Sequence, residues 1–401
     1  MGSKNSVIEV KTAAIRRALS DTAMDEEAYE SMLENIVLNG DPYLTYREAK
    51  EALRLIRSRT RSNLGILDKY VRNPEIKEIM VNGEAEIFLE TGKGMEKAPE
   101  RFDSVEEIEE IMRNIAAAVH REINEMNPIL DARLSDGSRV NAVYKNIAVG
   151  GPAITIRKFS KEHITLEQIR SGGGITAECA EALQILVAGG YNIFISGGTS
   201  SGKTTFLNAL ADSIPAEERV IVIEDSRELM LRQIDNIVQM ECHNANTVGK
   251  GQVTMDMLIR TSLRMRPDRI IVGEVRGSEV AEMLQAMNTG HDGCISTGHG
   301  NSVTAMLRRL EYMYMMASEV PLGAIRGQIV EGIDIMLHMS RLADGRRVVT
   351  EVQELCGYEG DNYQLNPLFL YGEEGTLQRT GNRLQSRTKL MTRGLDRNDR
   401  L

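Results

Sequence analysis

Residues 191–205 constrain this chain more than any other stretch. Tyr191–Ser196 is apolar and strand-like. It runs into Gly197-Gly198-Thr199-Ser200-Ser201-Gly202-Lys203-Thr204-Thr205, and Phe206, Leu207 and Leu210 follow at helical spacing. This is G-x-x-x-x-G-K-[ST] between a strand and a helix. Glycines there let backbone N–H groups converge on phosphate oxygens with no Cβ in the way. The helix dipole adds positive potential at the same place. Lys203 is expected to reach the β- and γ-phosphates of ATP, and the Thr204 hydroxyl to ligate Mg²⁺. The segment from Gly197 to Thr205 is the expected nucleotide-binding set.

Three later strands lead toward this loop. Arg219–Ile223 ends in Glu224-Asp225, with Glu228 beyond; Arg269–Val272 ends in Gly273-Glu274-Val275-Arg276. Ligands of open α/β sheets sit at the carboxyl ends of strands. Carboxylates at two such ends can hold Mg²⁺ with its waters and polarise an attacking water. Glu274, beside Arg276 after a strand of pure core character, is the expected catalytic carboxylate. Glu224 and Asp225 are candidates for the ion, although a strand-end acid can equally cap a neighbouring turn. Cys294–Thr297 is a further strand, leading to Gly298-His299-Gly300-Asn301-Ser302. It is expected beside the phosphate-loop strand, where His299 would sense the γ-phosphate or orient a glutamate. His291 and His243 have weaker claims.

The rest of the chain divides around this core. Residues 1–62 read as an N-terminal helical segment. Thr45 and Glu48 have capping-box spacing, and Ala49, Leu53 and Ile56 share a helix face. Arg54, Arg57, Arg59 and Arg61 form its basic strip, a solvated face or a docking surface. Residues 63–160 read as a small α+β domain. Hairpin signals stand at Asn82-Gly83 and Asp136-Gly137, and Ser104 and Glu107 cap a helix carrying Ile108, Ile111, Ile115 and Val119. Residues 161–174 read as a linker: a short helix capped by Thr165 and Gln168, then Gly172-Gly173-Gly174 as a flexible joint. From 175 to 375 strands and helices alternate, implying an α/β domain with a parallel sheet. Residues 376–401 are polar and without period, which predicts a flexible tail.

Composition narrows the function. The 401 residues are 42% hydrophobic and 26% charged, with 48 basic against 58 acidic side chains and a net charge of −10. That excludes a disordered chain and disfavours a general nucleic-acid binder. Aromatics are 4% with no Trp, so stacking platforms for single strands are scarce, and no direct nucleic-acid partner is expected. Cys179, Cys242, Cys294 and Cys356 have no zinc-ribbon spacing and suit a reducing compartment. No apolar run approaches the about 20 residues of a membrane span.

Together these boxes resemble a known family. Gly197–Thr205, Ile223-Glu224-Asp225, Arg266–Gly277 and Ser296–Ser302 look like the Walker A, Asp, Walker B and His boxes of secretion-superfamily ATPases. Asp131–Asn141 and Leu284–Gly293 look like the Tad/Flp pilus assembly branch, the CpaF/TadA-like ATPases. The resemblance covers roughly residues 63–360. It implies a RecA-like P-loop NTPase domain after a smaller α+β domain. It also implies a cytoplasmic homohexameric ATP-hydrolysing motor, peripheral to the inner face of the cell membrane. There such a motor docks beneath platform proteins and acts indirectly on pilin. It further implies that arginines of the preceding domain, here Arg133, Arg139 and Arg157, face a nucleotide between domains or subunits. Ser200 stands where that family usually has Gly, and Gly298 and Gly300 flank His299 where bulkier residues and Ala are commoner. The paired-cysteine module of type II relatives is absent.

Competing readings are a conjugative type IV secretion ATPase for DNA or effector transfer, a non-hydrolysing nucleotide-regulated scaffold, and a small-molecule kinase. The first shares the boxes. The second would be favoured by loss of Glu274 or Lys203, and both are present. The third needs an acceptor pocket and a lid, for which the sequence offers no candidate segment.

Overall fold

In the computed structural model, residues 26–39, 44–61, 64–92, 94–159, 163–243, 245 and 250–396 are described, with positions 7, 10–12, 14, 15, 17 and 18. The chain divides into two units, Met1–Ser160 and Lys161–Leu401.

The first unit contains two small cores. Helices α1 (Glu26–Asn39) and α2 (Tyr46–Arg61) enclose Ile15, Tyr29, Leu33, Val37, Ala49, Ala52 and Ile56. The Thr45 N–H donates to Glu48 Oε2 at 3.0 Å, one half of the expected capping box. The side chains of Arg54, Arg57, Arg59 and Arg61 lie outside the described residues. After helix α3 (Asp68–Arg72) come β1 (Ile76–Asn82), β2 (Glu86–Thr91), β3 (Gly94–Lys97), α4 (Val105–Ala118), β4 (Ile129–Arg133), β5 (Arg139–Val143) and β6 (Ala153–Arg157). The strands form an antiparallel sheet in the order β3-β2-β1-β6-β5-β4. Its alternating residues Ile79, Val81, Val140, Ala142, Ile154 and Ile156 share a core with Ile108, Ile111, Met112 and Ile115 of α4. Both hairpin signals are realised. Gly83 has φ +66°, and a Cβ there would come 2.6 Å from Gly150 O.

The second unit begins with α5 (Leu166–Ser171) and α6 (Ala177–Ala188). It continues through β7 (Ile193–Gly197), α7 (Lys203–Ala211), β8 (Val220–Glu224), β9 (Ile237–Glu241), α8 (Met255–Ser262) and β10 (Arg269–Val275). Then follow α9 (Glu279–Asn288), β11 (Ile295–His299), α10 (Val303–Ala317), α11 (Leu322–Gly332), β12 (Ile335–Arg341), β13 (Arg347–Glu359), β14 (Asn362–Tyr371), β15 (Leu377–Arg379) and α12 (Thr388–Thr392). One nine-stranded sheet runs β15-β14-β13-β12-β7-β11-β10-β8-β9. The run from β12 to β9 is parallel, as expected. β13, β14 and β15 add an antiparallel extension, because the short turn around Asp344-Gly345 can only reverse the chain. Residues of β7 and β8 are buried on both faces. Ile193, Ile195, Val220 and Val222 enter one core with α6 and α7, while Phe194, Ile221 and Ile223 enter another with α8, α9, α10 and α11. Helices on both sides explain why these strands read as continuous apolar runs.

Two sequence expectations are corrected here. Gly172–Gly174 is not a free joint: it closes α5 inside the second unit. The Gly172, Gly173 and Gly174 N–H groups donate to Gln168, Arg170 and Ile169 carbonyls, and Gly174 O accepts from Val349 N at 2.9 Å. Gly173 has φ +73°, the left-handed cap that ends many helices. A Cβ on Gly174 would stand 2.8 Å from Ile169 and 2.9 Å from Arg347 O, so the glycines there serve packing. The start of the expected linker, 161–162, lies outside the described residues.

The segment expected to be a flexible tail is ordered through residue 396, and 397–401 lie outside the described residues. Leu377, Leu384 and Leu390 are buried in the first core of this unit. Tyr191 Oη donates to Ser386 O at 2.6 Å, and Lys389 Nζ lies 2.7 Å from Asp334 and 2.8 Å from Asp292. Leu377 lies on β15, Leu384 in an irregular stretch and Leu390 on α12, so no single period links them and only the surface they land on reveals their role.

Candidate active site

β7 brings the phosphate loop to the middle of the sheet edge. His299 of β11 pairs with Gly197 on one side, and Met339 of β12 pairs with it on the other. A Cβ on Gly197 would stand 2.5 Å from Met339 O and 2.6 Å from Ser201 Oγ, so the strand exit admits only glycine. Gly202 has φ +93° and Ser200 φ +60°. Helix α7 starts at Lys203 with no side-chain cap, leaving its first N–H groups directed at the loop.

Lys203 is buried, and its Nζ donates to the carbonyls of Gly197 at 3.1 Å and Gly198 at 3.0 Å. It also lies 3.3 Å from His299 Nδ1. Burial pushes this ammonium below its usual pKa, with Glu274 pulling it back up. An ammonium cannot accept, so His299 Nδ1 must, which leaves the imidazole proton on Nε2. That Nε2 lies 2.9 Å from Glu274 Oε1. The approach is close but not aligned for a hydrogen bond, and Oε1 remains buried with no donor. Glu274 Oε2 accepts from Arg276 Nη2 at 2.9 Å. Arg276 Nη1 is 3.8 Å from Asp225 Oδ2. Burial, then Lys203, hold His299 below the usual imidazole pKa.

The structure thus gathers Lys203, His299, Glu274, Arg276 and Asp225 in one chain of contacts. Glu224 is buried at the end of β8, and its Oε1 accepts from the backbone of Glu228 at 2.8 Å and Leu229 at 3.0 Å. Gly273 leaves room for it, since a Cβ there would stand 3.0 Å from Glu224 Cγ. One oxygen of Glu224 therefore shapes the following turn. Gly298 and Gly300 also have a packing reason: a Cβ on either would press on Met306, at 2.8 Å and 3.0 Å.

Within the first unit, Arg133 pairs directly with Arg139, and Arg139 with Arg157. The row continues to Glu78 of β1, which pairs with Arg157 and sets an opposite charge beside it. Arg133 Nε donates to Gly137 O at 3.2 Å.

Sequence reasoning missed two contributions. A cavity of about 680 Å³ beside the loop is lined by Gly198, Thr199, Arg276, His299, Gly300 and Asn301, and also by Ala305, Arg308, Arg309 and Tyr312 of α10. The Arg308 and Tyr312 spacing of four was the available signal for that face. Arg347 of β13 also reaches the loop, its Nε donating to Ser200 O at 3.1 Å, and nothing local to residue 347 announces it.

A buried lysine above a glycine-shaped loop and an uncapped helix start have the layout of a P-loop on a RecA-like domain. The Type II/IV secretion system protein family matches residues 60–390, and the chain belongs to that family of secretion ATPases. It is similar to the conjugal transfer protein TrbB of Rhizobium radiobacter, 34% identical over 294 residues, spanning 72% of this chain and 86% of that protein. The type IV secretion system protein PtlH of Bordetella pertussis is 31% identical over 317 residues, spanning 72% and 93%. The crystal structure of the pilus retraction motor PilT with bound ADP shares the fold at a TM-score of 0.55 and 20% identity, spanning 74% of this chain and 84% of that one.

Proposed function

We propose that this protein is an ATP-hydrolysing motor, working as a homohexameric ring at the inner face of the membrane and docked on platform proteins of a secretion or pilus machine. The observation that carries the reading is the Lys203–His299–Glu274–Arg276 chain at the mouth of the phosphate loop.

The residues divide the work as follows. Lys203, the loop N–H groups from Gly198 to Thr205 and the start of α7 bind the triphosphate. The buried polar atoms without partners, Ser201 Oγ and Glu274 Oε1, suit a site completed by phosphate and water. Thr204, with Asp225 and Glu224, would hold Mg²⁺ through hydroxyl and water. When bound, that ion supplies charge neutralisation between phosphate oxygens. Glu274 Oε1 takes the proton of the attacking water, and Arg276 fixes the carboxylate by holding Oε2. His299 spans Lys203 and Glu274 and so reports phosphate occupancy to the base. The row Arg133, Arg139 and Arg157 supplies the further cation that transition-state charge calls for, across a subunit interface.

The finer assignment to Tad/Flp pilus assembly, with pilin as the indirect cargo, rests on Asp131–Asn141 and Leu284–Gly293. A conjugative type IV secretion role, in DNA or effector transfer, is the second reading, favoured by the conjugal transfer relative TrbB and the type IV secretion relative PtlH. The test of the motor is ATP turnover without any added phosphate acceptor. Lys203→Ala should abolish it. Glu274→Gln should keep ATP binding and lose about 10²–10⁴ in kcat. Wild-type turnover by Glu274→Gln would refute the base assignment. A deletion strain scored for surface pili and for plasmid transfer separates the two cargo readings.

A further inference from the structure

β12 lies parallel to the phosphate-loop strand, and β13 folds back on β12 with Arg347 opposite Arg341. This return carries Arg347 to the rim of the loop from a position 147 residues away in sequence. There its Nε donates to Ser200 O at 3.1 Å. Its stem lies over Gly202, where a Cβ would stand 3.1 Å from Arg347 Cδ and 3.7 Å from Arg347 Cβ. So Gly202 has two reasons to be glycine: its φ of +93° and the space that the arginine stem occupies.

Ser200 itself has φ +60°, a left-handed conformation that a residue with a Cβ adopts at a cost. The peptide unit is planar and trans, so the direction of Ser200 C=O sets the opposite direction for the Ser201 N–H. With its oxygen held by Arg347, that N–H turns to the inner side of the loop, 3.4 Å from Gly198 O, a long contact easily exchanged for a better acceptor. Flipping this peptide would change ψ of Ser200 and φ of Ser201, leave φ of Ser200 positive, and turn the donor away from the phosphates.

We infer that Arg347 is a positioning residue for nucleotide binding: it grips Ser200 O and thereby holds the Ser200–Ser201 peptide in the orientation that presents the Ser201 N–H to phosphate. The inference rests on the reading of the loop as an ATP site. It assigns Arg347 a role in affinity, not in the chemical step, because the grip is the same before and during reaction.

The experiment uses the full chain in five forms: wild type, Arg347→Met, Arg347→Lys, Ser200→Gly, and Arg347→Met with Ser200→Gly. Methionine keeps an apolar stem over Gly202 and loses the donor, which guards against a variant that merely fails to fold. Arg347→Met should raise the Kd for ATP and its KM about three- to tenfold, the worth of one such hydrogen bond, with kcat changed less than about twofold. Ser200→Gly in the same chain should leave KM raised, because glycine accepts the flipped peptide as readily as the held one and returns no donor to the residue-200 oxygen. Arg347→Lys, which retains a donor, should be intermediate. Unchanged KM in Arg347→Met overturns the inference alone. So does a fall in kcat as large as the rise in KM, which would place the guanidinium in the chemical step, or a return of KM to wild type in the double variant, which would mean that the bond to Ser200 O does not set the peptide. Failure of the wild type to bind ATP overturns the ATPase reading and this inference with it.

Discussion

Leu390→Ala measures how firmly the final segment belongs to the nucleotide-binding unit. Leu390 has no exposed surface, and its Cδ2 is seated so closely on Gly189 that a Cβ there would stand 2.8 Å away. Gly189 has no side chain to swing into the space, and Lys389 is tied to Asp334 and Asp292, so the site cannot easily collapse. Leu→Ala losses span about 2–5 kcal/mol and grow with the cavity left behind, which puts this one at about 3–4 kcal/mol. For a unit the size of Lys161–Leu401 that is a fall of about 6–16 °C in melting temperature, at about 2–4 °C per kcal/mol. The neighbour Met391 is 60% exposed, and Met391→Ala should stay within about 0.5 kcal/mol of wild type. The chain has no Trp, so calorimetry or far-ultraviolet dichroism is the suitable assay, with ATP added to mark the transition of the nucleotide-binding unit. If the two variants melt within about 2 °C of one another, the packing argument fails and the segment is as loose as its composition suggested.

Three further predictions follow from the site. His299 is held below the usual imidazole value, so the stability its neutral form contributes is present above about pH 6.5 and is lost as pH falls through the lower native value; His299→Gln should flatten that acid limb in thermal melts recorded across this range. Gly298→Ala should destabilise the protein by about 1–3 kcal/mol in thermal melts, because its Cβ would meet both Met306 and Phe194 inside a packed core; an unchanged melt would mean that β11 has slack. Arg139→Ala should lower turnover about 10³-fold. Rings mixed from Arg139→Ala and Glu274→Gln subunits should regain part of that activity if the arginine acts across the interface, and no regain in rings verified as mixed would place it in cis or in the scaffold.

The reach of local pattern and of tertiary placement differs from residue to residue. Lys203 and the glycines around it were legible because a phosphate loop is a contiguous device: its spacing, strand and helix all lie within about fifteen residues. Glu274 and His299 were legible one step further out, as polar residues ending apolar strands. What joined them to Lys203 was the order β10-β11-β7 in the sheet. For Glu224 the identity was legible and the use of Oε1 was not, because its partners are backbone groups of a turn with no motif. The triple glycine was misread for a physical reason: composition reports freedom in the unfolded chain, whereas the bond to Val349 and the contact with Ile169 are made by the fold.

By itself, then, the sequence determined the elements and the chemistry: alternation in the first unit, buried parallel strands in the second, caps at Thr165 and Ser104, and a loop able to cradle phosphate. Each of these follows from interactions among residues a few positions apart, where the backbone period dictates who meets whom. The tertiary structure alone decided which cation grips Ser200, which arginines stand in one row, and where Leu384 and Leu390 are buried. Those outcomes depend on strand order and register, and register is chosen by the burial of both faces of the sheet at once, a condition that no single segment encodes.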